Sequence, residues 1–400
     1  MEPLTTPLPC PDGSIRAFKQ QMLKVADVGC AGAIYKIELP YPEFSGDQAH
    51  HKKNLRLFIT GDWMGAGAGG TDKCYVYYDP DKQDWYLYNS MNHGGIKANI
   101  IAVPGDRFEE AYYSKAIFTH RTTEANTVIP TADYQSHRAD PYVTYIDNNL
   151  LNGNPDLILI ITRVADRLSL YSPMDVHHAV VWYDPESEFT NPYESGPKPK
   201  GRWAIAYPAR YKMEPGTCFN VMAMLPYQEA EEEMEYSFMS AFAFQEAVNP
   251  ENRSKDNLNT AYLDDAKATE LIHCLRELTD DRLPACITPE MRDSLEKEEL
   301  IVVATERWEG PVYTKALLEK ENPGISFDLL PEKEQGKLGT LRPVNTAPLS
   351  VWYVPDGFIW DGKAVAITDA LAVFVAANET IKPIILNICT RLPCPTYCEG

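Results

Sequence analysis

The chain of 400 residues carries a formal net charge of −20 at pH 7, and 44% of its residues are hydrophobic. This length accommodates about two to four domains with buried cores, whereas the negative charge argues against nucleic acid and anionic membrane surfaces as partners, because phosphate groups would repel the chain. No apolar run approaches the ~18 residues of a membrane-spanning helix, so membrane insertion is not expected either.

The first strands predicted along the chain enclose a glycine-rich stretch. Residues 55–60 alternate as a strand does, and residues 61–70 read GDWMGAGAGG. The glycines match the spacing of a dinucleotide-binding loop, but such a loop needs a helix after it. Residues 71–78 are instead β-branched and aromatic, and they end at the turn signal Asp79-Pro80. The stretch is therefore predicted to be a loop lid in a β-hairpin, and no cofactor is expected.

The strand pattern recurs along the chain and predicts three tandem antiparallel β modules. Each unit reads as a strand, a variable loop, an aromatic strand closed by a proline turn, another strand and a last strand. The repeat aligns Asn99, Asn220 and Val375. The fold class is thus predicted to be mainly β, with a propeller-like or barrel-like arrangement of pseudo-repeats. The predicted segments are residues 12–105, residues 106–228, residues 237–390 with a small helical insertion at 266–299, and a cysteine-rich tail at 391–400.

The insertion explains why the third module is the longest. Apolar residues spaced by three and four run from Ala268 to Leu278. Thr288 followed by Pro289 is a helix start signal, because proline suits the first helical position. The sequence therefore predicts helices between the strands of this module.

Metal-ligand patterns are absent from the sequence, so no metal is expected. Cys389, Cys394 and Cys398 have no histidine nearby, and a disulfide that ties down the tail is expected instead. His177 and His178 are adjacent at the start of a strand, so their rings point to opposite faces. A metal shared by these two histidines is therefore not expected.

The N-terminal sequence leaves two locations open. No signal peptide follows Met1, which fits a cytoplasmic protein. If the numbering instead starts on a processed chain, the protein belongs to the secretory pathway or the extracellular space. The acidic, Tyr-rich and Pro-rich composition favours the second location.

The second unit carries six short motifs. They are FTHRTTEAN at 118–126, TYID at 144–147, NGNP at 152–155, VWYD at 181–184, RWAI at 202–205 and FNV at 219–221. Together they resemble an all-β domain family of uncharacterised function found in microbial proteins. This resemblance implies a β fold and supplies no catalytic residues. In size, acidity and lack of catalytic motifs, the whole chain is similar to fungal cyclases such as the hetero-Diels–Alderases of tropolone-sesquiterpene pathways.

Aromatic side chains are the main candidates for ligand contacts. The chain has seven Trp and 23 Tyr, and several tryptophans recur at equivalent positions of the repeat. Mid-strand tryptophans are either core residues or ligand contacts, and those at strand ends are either core residues or the wall of an apolar pocket. The predicted substrate-binding residues are Trp63, Trp308, Trp203, Trp352 and Tyr88.

Polar candidates come from the loops after the third strand of each unit, because repeated scaffolds vary the loops that carry function. His93, Tyr207, Arg210 and Asp369 are the predicted catalytic residues there, and each is otherwise an ordinary surface or turn residue. His120, within the motif FTHRTTEAN, is either a structural histidine bonded to a turn or a general base.

The sequence leaves two functions open. The first is a cofactor-independent enzyme that acts on a small apolar molecule in an aromatic-lined pocket between modules, such as a natural-product cyclase of the cycloaddition type. That chemistry requires orientation of the substrate and a donor that polarises a carbonyl. The alternative is a lectin-like carbohydrate-binding protein without catalytic activity. A multivalent lectin would reuse the same polar ligands in every module, whereas these loops share little, so the enzyme is favoured.

Overall fold

A computed structural model describes separate stretches of the chain, and these stretches contain its β-sheets. The described residues are 16–28, 32–39, 52–62, 74–89, 95–104, 117–128, 142–146, 148–165, 179–185, 201–207, 213, 215–224, 242–248, 260–263, 300–308, 323–324, 326, 349–354, 359–360, 363–364, 370–375 and 384–391. β-strands dominate these stretches, and no α-helix occurs within them. The predicted mainly β fold class is therefore confirmed.

The strands fall into three groups in chain order. The first group is β1 (Arg16–Val28), β2 (Gly32–Ile37), β3 (Leu55–Gly61), β4 (Cys74–Asp79), β5 (Asp84–Asn89) and β6 (Gly95–Pro104). The second is β7 (Ile117–Arg121), β8 (Thr127–Val128), β9 (Tyr142–Tyr145), β10 (Ile158–Ala165), β11 (Val180–Asp184), β12 (Arg202–Tyr207) and β13 (Cys218–Met224). The third is β14 (Phe242–Val248), β15 (Thr260–Leu263), β16 (Ile301–Trp308), β17 (Leu349–Val354), β18 (Ile359–Trp360), β19 (Lys363–Ala364), β20 (Ala370–Val375) and β21 (Ile384–Arg391).

Two mixed sheets contain nearly all of these strands. The first has twelve strands in the order β15-β20-β17-β3-β6-β1-β2-β5-β4-β10-β13-β7, and the second has seven in the order β14-β21-β16-β11-β12-β9-β8. A two-stranded sheet joins β18 and β19. Within the described part of the chain, neither large sheet closes into a barrel.

The hairpin predicted around the glycine-rich loop is wrong, because β3 pairs with β6 and β17 whereas β4 pairs with β5 and β10. Its two strands are confirmed, while the loop itself, residues 63–73, lies outside the described residues. The turn signal after β4 is confirmed as well. The Asp79 carboxylate accepts the backbone N–H groups of Asp81 and Lys82, at 3.0 and 3.2 Å. This side-chain capping of a turn is a common role of aspartate.

Parallel pairing connects one group of strands to the next. The pairs are β4 with β10, β11 with β16, and β17 with β3, so each group touches both others. All other strand pairs in the described chain are antiparallel. The largest core cluster accordingly mixes the groups, and Ile101, Met222 and Val303 all belong to it.

Three buried threonines connect β3, β10 and β16 at their centre. Thr162 Oγ1 accepts the N–H of Ile59 at 3.1 Å, and Thr305 Oγ1 accepts the N–H of Ile161 at 3.0 Å. The N–H of Ala304 completes the set by donating to Thr60 Oγ1 at 2.9 Å. Each group thus donates to the next, and the hydrogen bonds form a closed cycle through the three strands.

An asparagine stands opposite each of these threonines on the neighbouring strand. The register pairs are Thr60 with Asn99, Thr162 with Asn220, and Thr305 with Asn387. Each asparagine amide donates to a backbone carbonyl of another group, and the acceptors are Val351, Leu57 and Leu159 respectively, at 3.1 to 3.2 Å. The N–H groups of these buried amides therefore find their acceptors only when all three groups are in place.

The alignment of the third repeat on Val375 is corrected by this register. Val375 ends β20 and pairs with Leu349, whereas Asn387 occupies the position of Asn99 and Asn220. The last strand of the third group is therefore β21. The predicted helical insertion at 266–299 lies outside the described residues, as does the tail from residue 392.

The disulfide expected for the tail is not formed by Cys389. Its thiol is free and fully buried in β21, and burial raises its pKa to about 12. Cys389 is therefore a core residue, consistent with cysteine being among the most buried residue types. Cys394 and Cys398 lie outside the described residues.

Candidate functional site

A cluster of tyrosines covers one face of β4 and β5, and we call it the tyrosine face. It consists of Tyr75, Tyr77, Tyr86 and Tyr88, together with Ile34 of β2. Alternation along the strands explains the arrangement, because successive side chains of a strand point to opposite faces. The residues between the tyrosines, such as Val76 and Leu87, belong to the main core on the other face.

The four rings form two stacked pairs. Tyr75 and Tyr88 are stacked with centroids 4.9 Å apart, and Tyr77 and Tyr86 are stacked at 5.5 Å. Both pairs sit across the antiparallel register of β4 and β5, where directly opposite residues approach closely. Offset stacking of this kind contributes about 0.5–1.5 kcal/mol beyond the burial of the rings.

The tyrosine face extends across the parallel junction into the second group of strands. Ala165 of β10 packs against it, and Ala165 is the register partner of Tyr77. The guanidinium of Arg163 lies 5.8 Å from the ring centroid of Tyr75, within the range of a cation–π contact. One apolar aromatic surface therefore spans the boundary between two groups.

The hydroxyl of Tyr88 is the unusual polar group of this surface. Tyr88 is 2% exposed, and its hydroxyl oxygen is buried without a hydrogen-bond partner among the described residues. Burial raises the pKa of this phenol above its ordinary value, so the hydroxyl stays protonated at neutral pH and is available as a donor. Tyr88 was among the predicted ligand contacts.

The other three tyrosines were not singled out from the sequence, although a signal for them exists. Tyrosines alternate in YVYY before the turn and in WYLY after it, so a hairpin brings Tyr75, Tyr77, Tyr86 and Tyr88 to one face. Burial, with smaller contributions from Tyr75, Asp79 and Tyr86, strongly raises the pKa of the Tyr77 hydroxyl. This phenol too is neutral at physiological pH.

A second aromatic contact lies at the parallel junction of β11 and β16. Trp308, a predicted ligand contact, is half-buried and is the register partner of Trp182. It packs against a cluster that includes Val143, Tyr145 and Trp182. Trp308 therefore belongs to a different side-chain cluster from Tyr88.

Trp203 is a fully buried member of a third cluster. Its indole N–H donates to the carbonyl oxygen of Asn154 at 2.9 Å, and its ring meets Tyr183 edge-on at 5.4 Å. Trp85 has the matching environment in the first group, since its N–H donates to the Lys52 carbonyl and its ring lies 5.7 Å from Tyr78. Both tryptophans therefore make the same kinds of contact, and the ligand-binding role of Trp203 stays a prediction.

His120 is buried in a polar network around the turn that follows β7. Its Nε2 is hydrogen-bonded to Thr144 Oγ1 at 2.8 Å, and that hydroxyl donates to Asn126 Oδ1 at 3.3 Å. Asn126 closes the turn by accepting the N–H of Thr123 at 2.7 Å and donating to the Arg121 carbonyl at 3.0 Å. These contacts place His120 in the polar network of the turn and use much of the motif FTHRTTEAN. Its role as a general base stays a prediction.

Three further motif residues form a buried ionic group. The Tyr145 hydroxyl donates to the Asp184 carboxylate, and the Arg202 guanidinium lies 3.8 Å from the centroid of the Tyr145 ring. Asp184 and Arg202 are register partners on β11 and β12. The motifs TYID, VWYD and RWAI therefore meet in one place, where each polar group has a neighbour of complementary chemistry.

A charged cluster marks the end of β3, immediately before Trp63. The ammonium groups of Lys19 and Lys97 lie 3.3 and 3.4 Å from Oδ2 of Asp62, whose side chain is 1% exposed. The N–H of Asp62 also donates to the Lys97 carbonyl at 2.8 Å. Two cations offset the cost of burying this carboxylate, so the cluster holds Asp62 in place at the end of β3.

The remaining predicted residues are only partly placed. Trp63, His93, Arg210 and Asp369 lie outside the described residues. Tyr207 ends β12 and Trp352 lies in β17, and for these two only the backbone is described. Their roles stay predictions.

The described part of the chain also lacks a metal-binding cluster and a membrane-spanning helix. No group of three or more His, Cys, Asp or Glu side chains in it is arranged to hold a metal ion. In the same stretches, no helix combines the length and apolar character needed to cross a membrane.

Comparison with known proteins gives no match: no family model, no curated protein and no solved structure is similar to this chain. The resemblance of the second unit to an all-β microbial family therefore stays a prediction from its motifs. The same holds for the similarity to fungal cyclases.

Proposed function

We propose that the protein is a cofactor-independent enzyme that binds one small apolar molecule at the tyrosine face and cyclises it by a cycloaddition-type reaction. Stacked tyrosines offer an apolar surface of fixed geometry, as small-molecule sites require. A cycloaddition redistributes bonding electrons within the bound molecule, so the protein has to supply only orientation and polarisation.

The observation that carries the proposal is the unpartnered hydroxyl of Tyr88. A buried hydroxyl left without a hydrogen bond costs roughly 1–3 kcal/mol. Several buried polar atoms of the described residues lack a partner, and within the tyrosine face this one does. Its place among four tyrosines gives this cost a purpose, since a ligand atom that accepts the hydrogen bond recovers it. Polar groups held without partners are frequent at functional sites.

The organisation of the chain supports a site between modules. We propose three tandem modules in a propeller-like arrangement, because the strand order is the same in each group. The first group has the order β3-β6-β1-β2-β5-β4, the second β10-β13-β7 with β9-β12-β11, and the third β16-β21-β14 with β15-β20-β17. The second group has one additional short strand, β8, at the edge beside β9. The threonine cycle and its opposing asparagines occupy equivalent positions in all three.

The tyrosine face is peculiar to the first of the three junctions, which favours one ligand per chain. The stacked pair Tyr77 and Tyr86 corresponds to Trp182 with Ala204 in the second group and to Trp352 with Ala372 in the third. The pair Tyr75 and Tyr88 corresponds to Val180 with Ala206 and to Ser350 with Phe374. A lectin with one sugar site per module would repeat these side chains.

Native mass spectrometry of the protein purified from its source, run beside a glycan array, tests the proposal. We expect an apolar small molecule bound at one per chain, and conversion of its acyclic precursor when that precursor is added. Glycan binding at two or three per chain would contradict the proposal and favour the lectin. A ligand that is bound but never converted would reduce the protein to a binding protein.

A further inference from the structure

We infer that the ligand of the tyrosine face is a planar, conjugated and uncharged molecule whose carbonyl oxygen accepts a hydrogen bond from Tyr88. This inference rests on the proposed function and names its substrate class. It follows from the polarity, the geometry and the charge of the tyrosine face.

The polarity of the site selects an acceptor. The Tyr88 hydroxyl is buried among apolar and aromatic side chains, and its proton has no acceptor among the described residues. A hydrocarbon ligand would leave that proton unpaired, at the full desolvation cost of the hydroxyl. A carbonyl oxygen pairs with it and becomes more electron-poor at carbon, which is the polarisation that a cycloaddition partner needs.

The geometry selects a flat molecule. Both tyrosine pairs are close to parallel, with interplanar angles of 27° for Tyr75 and Tyr88 and 22° for Tyr77 and Tyr86. The four side chains are only 2 to 6% exposed, so a ligand beside their stacked rings has to be thin. A flat π system meets this condition and packs on aromatic rings better than a puckered aliphatic ring. A conjugated carbonyl compound combines such a plane with an acceptor.

The charge distribution disfavours an anionic ligand. Two cations lie near the described rings, Lys82 at 5.1 Å from the centroid of Tyr86 and Arg163 at 5.8 Å from that of Tyr75. Lys82 is already ion-paired with Asp79 at 3.5 Å, and Arg163 has interactions of its own. A carboxylate ligand would therefore lose its hydration without a dedicated counter-ion, which is costly in an apolar site. A neutral ketone or enone avoids this cost. Sugars fit poorly too, because their many hydroxyls need several polar partners.

Two probes that differ by one carbonyl test the inference, namely 1-indanone and indane. Isothermal titration with the wild-type protein should give a dissociation constant about two- to twelvefold lower for 1-indanone, the range expected of one neutral hydrogen bond. Tyr88→Phe should abolish this preference and leave indane binding unchanged. The variant should fold, because it removes a hydroxyl that has no partner among the described residues.

Tyr78→Phe serves as the matched control, since it removes a phenol hydroxyl from β4 on the face opposite the tyrosine face, and it should keep the preference for 1-indanone. Equal affinities of the wild-type protein for both probes, or a preference that survives Tyr88→Phe, would overturn the inference while leaving the apolar site intact. Failure of both probes to bind would contradict the proposed function itself. The wild-type ratio alone is informative, so the test does not depend on any variant.

Discussion

The hydroxyl oxygen of Tyr88 lies over the backbone of Gly32, so close that a Cβ atom at Gly32 would stand 2.6 Å from it. The ring carbons Cε2 and Cζ of Tyr88 would be 2.9 and 3.0 Å away. Because the ring is stacked on Tyr75 and buried, it has little room to retreat. The position of the proposed donor thus depends on a residue that has no side chain.

Gly32→Ala is therefore expected to lower the free energy of unfolding by about 1–3 kcal/mol, the usual cost of overpacking. Urea denaturation followed by circular dichroism measures it. In the double variant Gly32→Ala with Tyr88→Phe, part of the loss should return, because the oxygen is gone while the ring carbons remain close. A single variant as stable as the wild-type protein would show that Tyr88 moves freely, and the fixed donor geometry would be lost.

Thr162→Val should destabilise the protein by roughly 1–3 kcal/mol, because it leaves the buried N–H of Ile59 without an acceptor. Thr162→Ser keeps the hydroxyl and should cost clearly less. The measurement is the midpoint of urea unfolding for both variants. Equal midpoints for Val and Ser would mean that the hydrogen bond between the first and second groups contributes nothing to stability.

His120→Phe should lower stability by about 1–3 kcal/mol, since it removes one of the two hydrogen-bond partners of the buried Thr144 hydroxyl and leaves it only Asn126. It should leave the ligand stoichiometry and the conversion rate of the folded protein unchanged. Thermal unfolding and a turnover assay on the same sample separate these effects. Normal stability with lost turnover would instead identify His120 as the general base.

Alkaline pH should destabilise the protein through its buried phenols. Burial raises the pKa of both Tyr77 and Tyr88 above the ordinary value of 10.0. The unfolded chain therefore loses these protons at lower pH than the folded protein. Their contribution to stability is fully present below about pH 10 and is lost as the pH rises towards the folded-state pKa values.

The measurement is urea unfolding at several pH values from about 8 to about 11. The fall in unfolding free energy above about pH 9.5 should be steeper for the wild-type protein than for Tyr77→Phe, because the variant lacks one buried phenol. Identical slopes for the two proteins would show that the Tyr77 hydroxyl titrates as it does in the unfolded chain.

Local sequence signals were sufficient for much of the fold. Alternating residues predicted β3 and β4, and Asp79-Pro80 predicted the turn whose aspartate caps two backbone N–H groups. The recurrence of tryptophans at equivalent positions of the repeat agrees with the matching hydrogen bonds of Trp85 and Trp203 to backbone carbonyls. The turn depends on side chains that are close in sequence, and the strands and the two tryptophans depend on a residue pattern that recurs along the chain.

Long-range relationships escaped prediction for a physical reason. The hydrogen bond from Ala304 to Thr60 spans 244 residues, and no local pattern encodes such a partner. The third group has an additional hairpin, β18 and β19, between β17 and β20. With this hairpin counted as a strand of the repeat, β20 takes the place of the last strand, so the repeat was aligned on Val375 instead of on Asn387 in β21. The tyrosine face was missed as a unit because the prediction was based mainly on tryptophans. Of its four tyrosines, Tyr88 alone was among the predicted residues, and its hydroxyl is buried without a partner among the described residues.

Hydrogen exchange, measured by mass spectrometry with and without the co-purified ligand, is the most direct test of the proposed site. Ligand at the tyrosine face should slow exchange in Cys74–Asp79, Asp84–Asn89 and the end of Ile158–Ala165, which meet at the first junction. Protection confined to Val180–Asp184 and Ile301–Trp308 would place the ligand at the junction of Trp182 and Trp308, and would contradict this account.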